Sequence, residues 1–165
     1  MSDATARFAL PFIVPGQAQK ELFHNEALAR IDGALHAAAE GPALAVPPAD
    51  PSPGQCWIVA AGASGAWVGK TDAIAAWTEG GWRFVEPQPG MLVWNKTAHV
   101  WIHWTGTAWS EGELPATGIS IGGVQVVAQR QPHVPSPSGG TFIDVEARSA
   151  IDALIATLMS HGLME

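Results

Sequence analysis

Two short stretches, WTEGGW at 77–82 and WTGTAW at 104–109, share one plan 27 positions apart. Each opens on Trp-Thr, passes a glycine-containing turn and closes on tryptophan. Indole and β-branched side chains favour extended backbone, and glycine supplies the reversal, so each stretch reads as a hairpin. Further short β-type segments surround them at 56–60, 66–68, 73–78, 82–86, 91–95, 100–104, 108–110 and 119–128, separated by Gly-Gly, Pro-Gly and Thr-Gly pairs. Short strands with frequent turn signals build an antiparallel meander, barrel or sandwich.

The flanks of this region are different. Residues 1–15 read as an extended arm, because Pro11 and Pro15 disfavour helix. Phe8, Leu10, Phe12 and Ile13 form a sticky strip on it that must dock on a partner or fold back, an assembly interface in the first case. Beyond Pro15-Gly16, the 28/31/35 spacing of Leu28, Ile31 and Leu35 and a high alanine content predict a helix over 17–38. Gly33 weakens it and Gly41-Pro42 ends it. Five prolines at 41–55 mark a linker or an edge-hugging loop, and QRQPHVPSPSGG at 129–140 is a second linker. Asp144 then caps a helix whose Ala147, Ile151, Leu154, Ile155 and Leu158 fall at 3/4 spacing, with Glu146 in its first turn and Gly162 past its end. The expected fold is α+β: a small antiparallel Trp-rich β domain, meander or barrel-like, flanked by an N-terminal arm plus helix and a C-terminal helix. Its boundaries are 1–40 for arm and helix, 41–55 for linker, 56–128 for β domain, 129–140 for linker and 141–165 for the amphipathic helix.

Charge excludes some partners. The net charge is −7, and the eight lysines and arginines are scattered singly, so no basic stripe exists to neutralise phosphates. Nucleic acid is therefore not expected. Only 14% of residues are charged, against roughly 25% in an average chain, which suits a subunit that buries much of its surface. No apolar run approaches the roughly 20 residues of a membrane span, and no secretory signal pattern opens the chain. Synthesis in the cytoplasm and no membrane partner are the expectations. Cys56 is the sole cysteine, so intrachain disulfides are excluded, and beside Trp57 and Ile58 it reads as a small buried hydrophobe.

Candidate chemistry is sparse. Gly69-Lys70-Thr71 matches the end of a phosphate-binding loop, but Ser64 stands where its first glycine belongs, and the residues after Thr71 are β-like. His99 and His103 could share one side of a strand, yet a third metal ligand is not nearby, so neither metal nor cofactor is expected. The chain has no G-x-S-x-G elbow, and Asp72, Glu79, Glu86, Glu111 and Glu113 lie near strand ends and turns. A catalytic set is not expected, nor an enzyme. Alternation along 99–104 places Val100, Ile102 and Trp104 on one face and His99, Trp101 and His103 on the other. The first set reads as core. Trp101 between two histidines is the candidate carbohydrate platform, its indole stacking on a sugar and the imidazoles bonding hydroxyls; a subunit interface is the competing role.

Three stretches, at 10–32, 53–94 and 139–163, together resemble an uncharacterised family from alphaproteobacterial phages and gene transfer agents. The resemblance covers nearly the whole chain, and the Pro-Gly-Gln-Ala-Gln-Lys run is its most specific part. It implies a structural component of a virus-like particle, the base of a head spike at capsid vertices. Such a base anchors a fibre and supports attachment to a recipient's capsular polysaccharide. The implied assembly is a homo-oligomer, a pentamer at the vertex, on the capsid surface, with capsid protein and spike fibre protein as partners. The alternatives are a carbohydrate-binding module that contacts capsule directly and a tail- or fibre-associated protein.

Overall fold

A computed structural model of the protein describes residues 4–13 and 20–165. The expected helix start at 17 and the Pro15-Gly16 break lie outside the described residues. The elements run α1 (Lys20–Ala34), β1 (Ala38–Ala39), β2 (Cys56–Ile58), β3 (Ile74–Thr78), β4 (Gly81–Val85), β5 (Leu92–Asn95), β6 (Val100–Trp104), β7 (Trp109–Glu111), β8 (Ile119–Ile121), β9 (Val124–Val127) and α2 (Val145–Ser160). The class is α+β, as the sequence predicts. Two compact units divide the chain, Met1–Leu114 and Pro115–Glu165.

In the first unit seven strands form one sheet, ordered β4-β3-β2-β1-β5-β6-β7. The pairing is antiparallel except at β1, which lies parallel to both β2 and β5. That central strand takes in Ala38, the last residue of the helix expected over 17–38. Helix α1 stops at Ala34, and His36, at φ 47°, turns the corner. Ala39 then pairs with Cys56 on one side and Asn95 on the other, so its backbone is satisfied by two neighbours distant in sequence. Helix propensity yields here to sheet closure.

Register separates two faces. Ala39, Cys56, Ile58, Ile74, Ala76, Val93 and Ile102 share one and form a buried cluster with Val85, Met91 and Trp109 against it. Helix α1 lies on this side, over β3 and β4. On the other side Trp57, Val59, Trp67 and Ala75 pack with Leu44, Ala63, Trp82 and Phe84. The proline-rich 41–55 segment hugs the sheet: Leu44 bridges Val59, and the Ala60 amide donates back to the Leu44 carbonyl. The expected strand at 66–68 is instead a 3-10 turn, Gly65–Trp67. Gly65, at φ 56°, starts that turn, and burial of Trp67 among Trp57 and Trp82 holds it.

The two Trp-Thr hairpins are true copies in their turns. Thr78 Oγ1 donates to the Gly81 carbonyl and accepts from the Gly80 amide; Thr105 Oγ1 donates to the Ala108 carbonyl and accepts from the equivalent Thr107 amide and from that of Ala108. Their indoles meet edge-to-face, at 4.9 Å for Trp77–Trp82 and 5.3 Å for Trp104–Trp109. By register they stand on opposite faces of the sheet, since Ala76, not Trp77, shares the face of Trp104. Trp109 Nε1 donates to the Asp72 carbonyl, joining the β7 edge to the loop that precedes β3.

The second unit holds β8, β9 and α2. The single strand expected over 119–128 is a hairpin, because Gly122 and Gly123 both take positive φ (58° and 81°) and reverse the chain. It lies in this unit rather than in the β domain, so the expected boundary at 128 moves to 114. Asp144 caps α2 by accepting from the Ala147 amide at 2.8 Å, and Gly162 (φ 70°) closes it while the Leu163 amide bonds the Leu158 carbonyl. Of this unit's described apolar side chains, only Ile155 and Met164 are buried.

Candidate functional site

The exposed aromatic region is built from the β5–β6 turn. Asn95, 2% exposed, accepts from the Thr97 and Ala98 amides through Oδ1 and donates from Nδ2 to Glu111 Oε1 at 2.6 Å. Its carbonyl accepts from the His99 amide. His99 sits at φ 56°, and this left-handed corner sets the phase of β6 so that Trp101 lands opposite Trp94. Their ring centroids are 5.1 Å apart at 71°, and the His99 ring lies 6.5 Å from Trp94. Trp101 is 36% exposed. Because the two indoles meet edge-on, the surface offers one indole face rather than a flat double platform.

Of the sequence candidates, Trp101 and His99 are brought together around Trp94. His103 is not a surface histidine. It is buried one rung along, between Leu92 of β5 and Ser110 of β7, and its Nδ1 has no hydrogen-bond partner among the described residues. Alternation puts it on the right face; the flanking strands cover it. Trp94 is the partner that spacing arguments within one strand miss, and only the β5–β6 register reveals it.

The arm folds back on its own chain. Asp32 receives the Thr5 hydroxyl at 2.7 Å and the Arg7 and Phe8 amides at 3.0 and 2.7 Å. The Arg7 guanidinium donates to the carbonyls of Asp32, Leu35 and His36, where the α1 dipole turns negative. Leu10 and Phe12 are half-buried, while Phe8 and Ile13 stay exposed. Between arm, α1 and the β3–β4 hairpin lies a cleft of about 680 Å³, lined by Phe12, Leu22, Ala29, Trp77 and the Glu26–Arg83 ion pair (2.5 Å). Nothing local in the sequence announces it, since its walls lie more than fifty residues apart.

Helix α1 is turned in an unusual sense. Ala29, Asp32 and Gly33 face the sheet and arm, and a Cβ on Gly33 would stand 2.9 Å from that of Ala76. Phe23, Ile31 and Leu35, on the outward i,i+4 row, are 77%, 49% and 44% exposed. The helix docks through small and polar residues with Leu28 half-buried, and leaves Phe23 and Ile31 exposed.

The remaining candidates are structural here. Lys70 lies over the Phe84 ring at 5.4 Å, and a turn leads from it straight into β3. Burial raises the Cys56 thiol above its ordinary range, and its Sγ donates to the Ala38 carbonyl at 3.2 Å.

Fold and surface together define an α+β module, a tryptophan-paired sheet carrying an arm and a helix that leaves Phe23 and Ile31 exposed. The chain belongs to the family described as "Protein of unknown function (DUF2793)", whose model matches residues 24–110. That match spans more than half of the chain and runs from α1 into β7. No curated protein matches the chain.

Proposed function

We propose that this protein is a structural subunit of a virus-like particle, a gene transfer agent or phage, and forms the base of a head spike at the capsid vertices. In this reading a ring of five copies anchors a fibre to the capsid protein and supports attachment to the recipient's capsular polysaccharide. The protein acts by assembly, not by catalysis. The observation that carries the reading is the outward apolar row of α1. A surface helix ordinarily turns such a row to its own core. Here Phe23, Ile31 and Leu35 face out, within or beside the family-matched region, and need a neighbouring subunit to cover them. The family resemblance in the sequence supplies the particle; the helix supplies a reason for assembly.

Electron microscopy of particles from cells lacking the gene tests this directly. Vertices bare of spikes, restored by the wild-type gene but not by Phe23→Asp/Ile31→Asp, are expected. Normal spikes on particles without the protein would defeat the reading.

A second reading rests on Trp101, whose indole is open and meets Trp94, the ring that His99 also flanks. There the module contacts capsule itself by stacking on sugar rings. A capsule pull-down with the isolated protein separates the two: retention lost in Trp101→Ala supports direct contact, and no retention of wild type leaves the structural base.

A further inference from the structure

The first unit ends and the second begins within Leu114-Pro115-Ala116-Thr117-Gly118. Leu-Pro-x-Thr-Gly is the recognition sequence of sortase-class cysteine transpeptidases, which cut between the threonine and the glycine. With four fixed residues at about 5–10% each, a chain of this length meets it by chance roughly once in several hundred. Each fixed position has a chemical reason. Leu114 supplies an apolar anchor, Pro115 presets its backbone and offers no amide to a competing turn, and Gly118 leaves no Cβ beside the bond to be cut.

The structure presents the segment as such a substrate. Leu114 is 58% exposed, and Pro115, Ala116 and Thr117 are exposed with it. No backbone hydrogen bond holds residues 113–117 among the described residues, so an enzyme can draw them into its groove without breaking a ladder. Gly118 is half-buried beside the exposed Gln125 side chain and the Val127 carbonyl. That side chain is tethered to the carbonyl by one weak bond of 3.3 Å, so it yields easily. All seven strands of the large sheet and the family-matched residues 24–110 precede the bond.

We propose that residues 114–118 are a transpeptidation site, at which a sortase-class enzyme joins residues 1–117 to a primary amine of another molecule and releases 118–165. The enzyme's thiolate attacks the Thr117 carbonyl carbon, the bond to Gly118 breaks, and the Gly118 nitrogen takes a proton from an enzyme acid as it leaves. The amine then attacks the resulting thioester, gives a proton back to the enzyme, forms an amide with Thr117 and frees the thiolate. One amide replaces another, so no oxidant, reductant or nucleotide is consumed. Cys56 takes no part, being buried in its own sheet. The site does not depend on the particle reading, since a chain outside any particle would carry it equally.

The test uses the full-length protein, a purified sortase-class transpeptidase of this specificity and a fluorescent triglycine peptide as the amine. Intact-mass spectrometry should show residues 1–117 carrying the peptide and a free 118–165 fragment. Pro115→Ala, in an exposed segment without backbone hydrogen bonds, should keep the wild-type circular dichroism and lose both products. A wild-type chain left whole, while a free peptide of the same five residues is processed, overturns the proposal. So does a product that Pro115→Ala leaves unchanged. In protein isolated from the cells that produce it, chains ending at Thr117 in an amide to an amine are expected, and finding every chain intact through Gly118 overturns the proposal as well.

Discussion

The Thr5 hydroxyl donates to the Asp32 carboxylate across 2.7 Å, both side chains buried. With the Arg7 and Phe8 amides on the same carboxylate, this contact fixes the arm to α1. Asp32→Ala removes the acceptor for all of these donors and leaves them without it. A loss of about 3 kcal/mol is expected, since hydrogen bonds to a charged group are among the stronger ones. Limited proteolysis should then cut within 4–13 while the sheet's circular dichroism persists below the melting transition. An arm as resistant as wild type would show that other contacts hold it.

Gly33 is where α1 approaches the sheet. Alanine favours helix by up to about 1 kcal/mol over glycine, so Gly33→Ala would stabilise a free helix. Here the added methyl would stand 2.9 Å from Ala76 Cβ, which is fixed to a strand and cannot rotate away. The clash should outweigh propensity, with a net loss of about 1–3 kcal/mol. Thermal denaturation checks the sign: a higher melting temperature would mean that the helix stands off the sheet.

Tryptophans of one chain should differ in consequence. Trp67 is fully buried and touches Trp57 and Trp82, so Trp67→Ala should cost about 3–5 kcal/mol. Its Nε1 is buried without a partner among the described residues, so Trp67→Phe, which removes that N–H, should cost well under half as much. Trp101 is open on one side, and Trp101→Ala should cost about 1 kcal/mol, mostly its edge contact with Trp94. Urea unfolding of the three variants gives the ranking, and a Trp101→Ala loss equal to that of Trp67→Ala would make Trp101 a core residue.

Alternation along β6 was legible because it is local: Ile102 and Trp104 are buried and Trp101 is not. Both hairpins were legible for the same reason, a Trp-Thr start and a nearby glycine. The features that escaped depend on distant partners. Ala38 reads as helix because alanine carries no mark of the strands that will flank it. Trp67 reads as strand by type, and only its burial against two other indoles explains the turn that holds it. His103 belongs to the predicted face, yet Leu92 and Ser110, on neighbouring strands, decide that it is covered. The α1 periodicity gave the helix without its orientation: Ile31 and Leu35 recur as a core row would and point outward.

Alkaline pH should weaken the fold through Cys56. Burial raises its thiol above the ordinary 9.0 in the folded chain, while in the unfolded chain it titrates at its ordinary value. Below that value both states hold the proton, and the contribution is constant. Above it the unfolded chain releases the proton first, so unfolding is favoured progressively until the folded thiol also ionises. Stability should therefore fall as pH rises past about 9, and iodoacetamide should label native Cys56 slowly even there. Urea unfolding at pH 7.5 and pH 10 measures the slope. Cys56→Ala, less stable overall for its lost volume, should show a smaller alkaline decrement than wild type; an equal decrement would assign the slope to other groups.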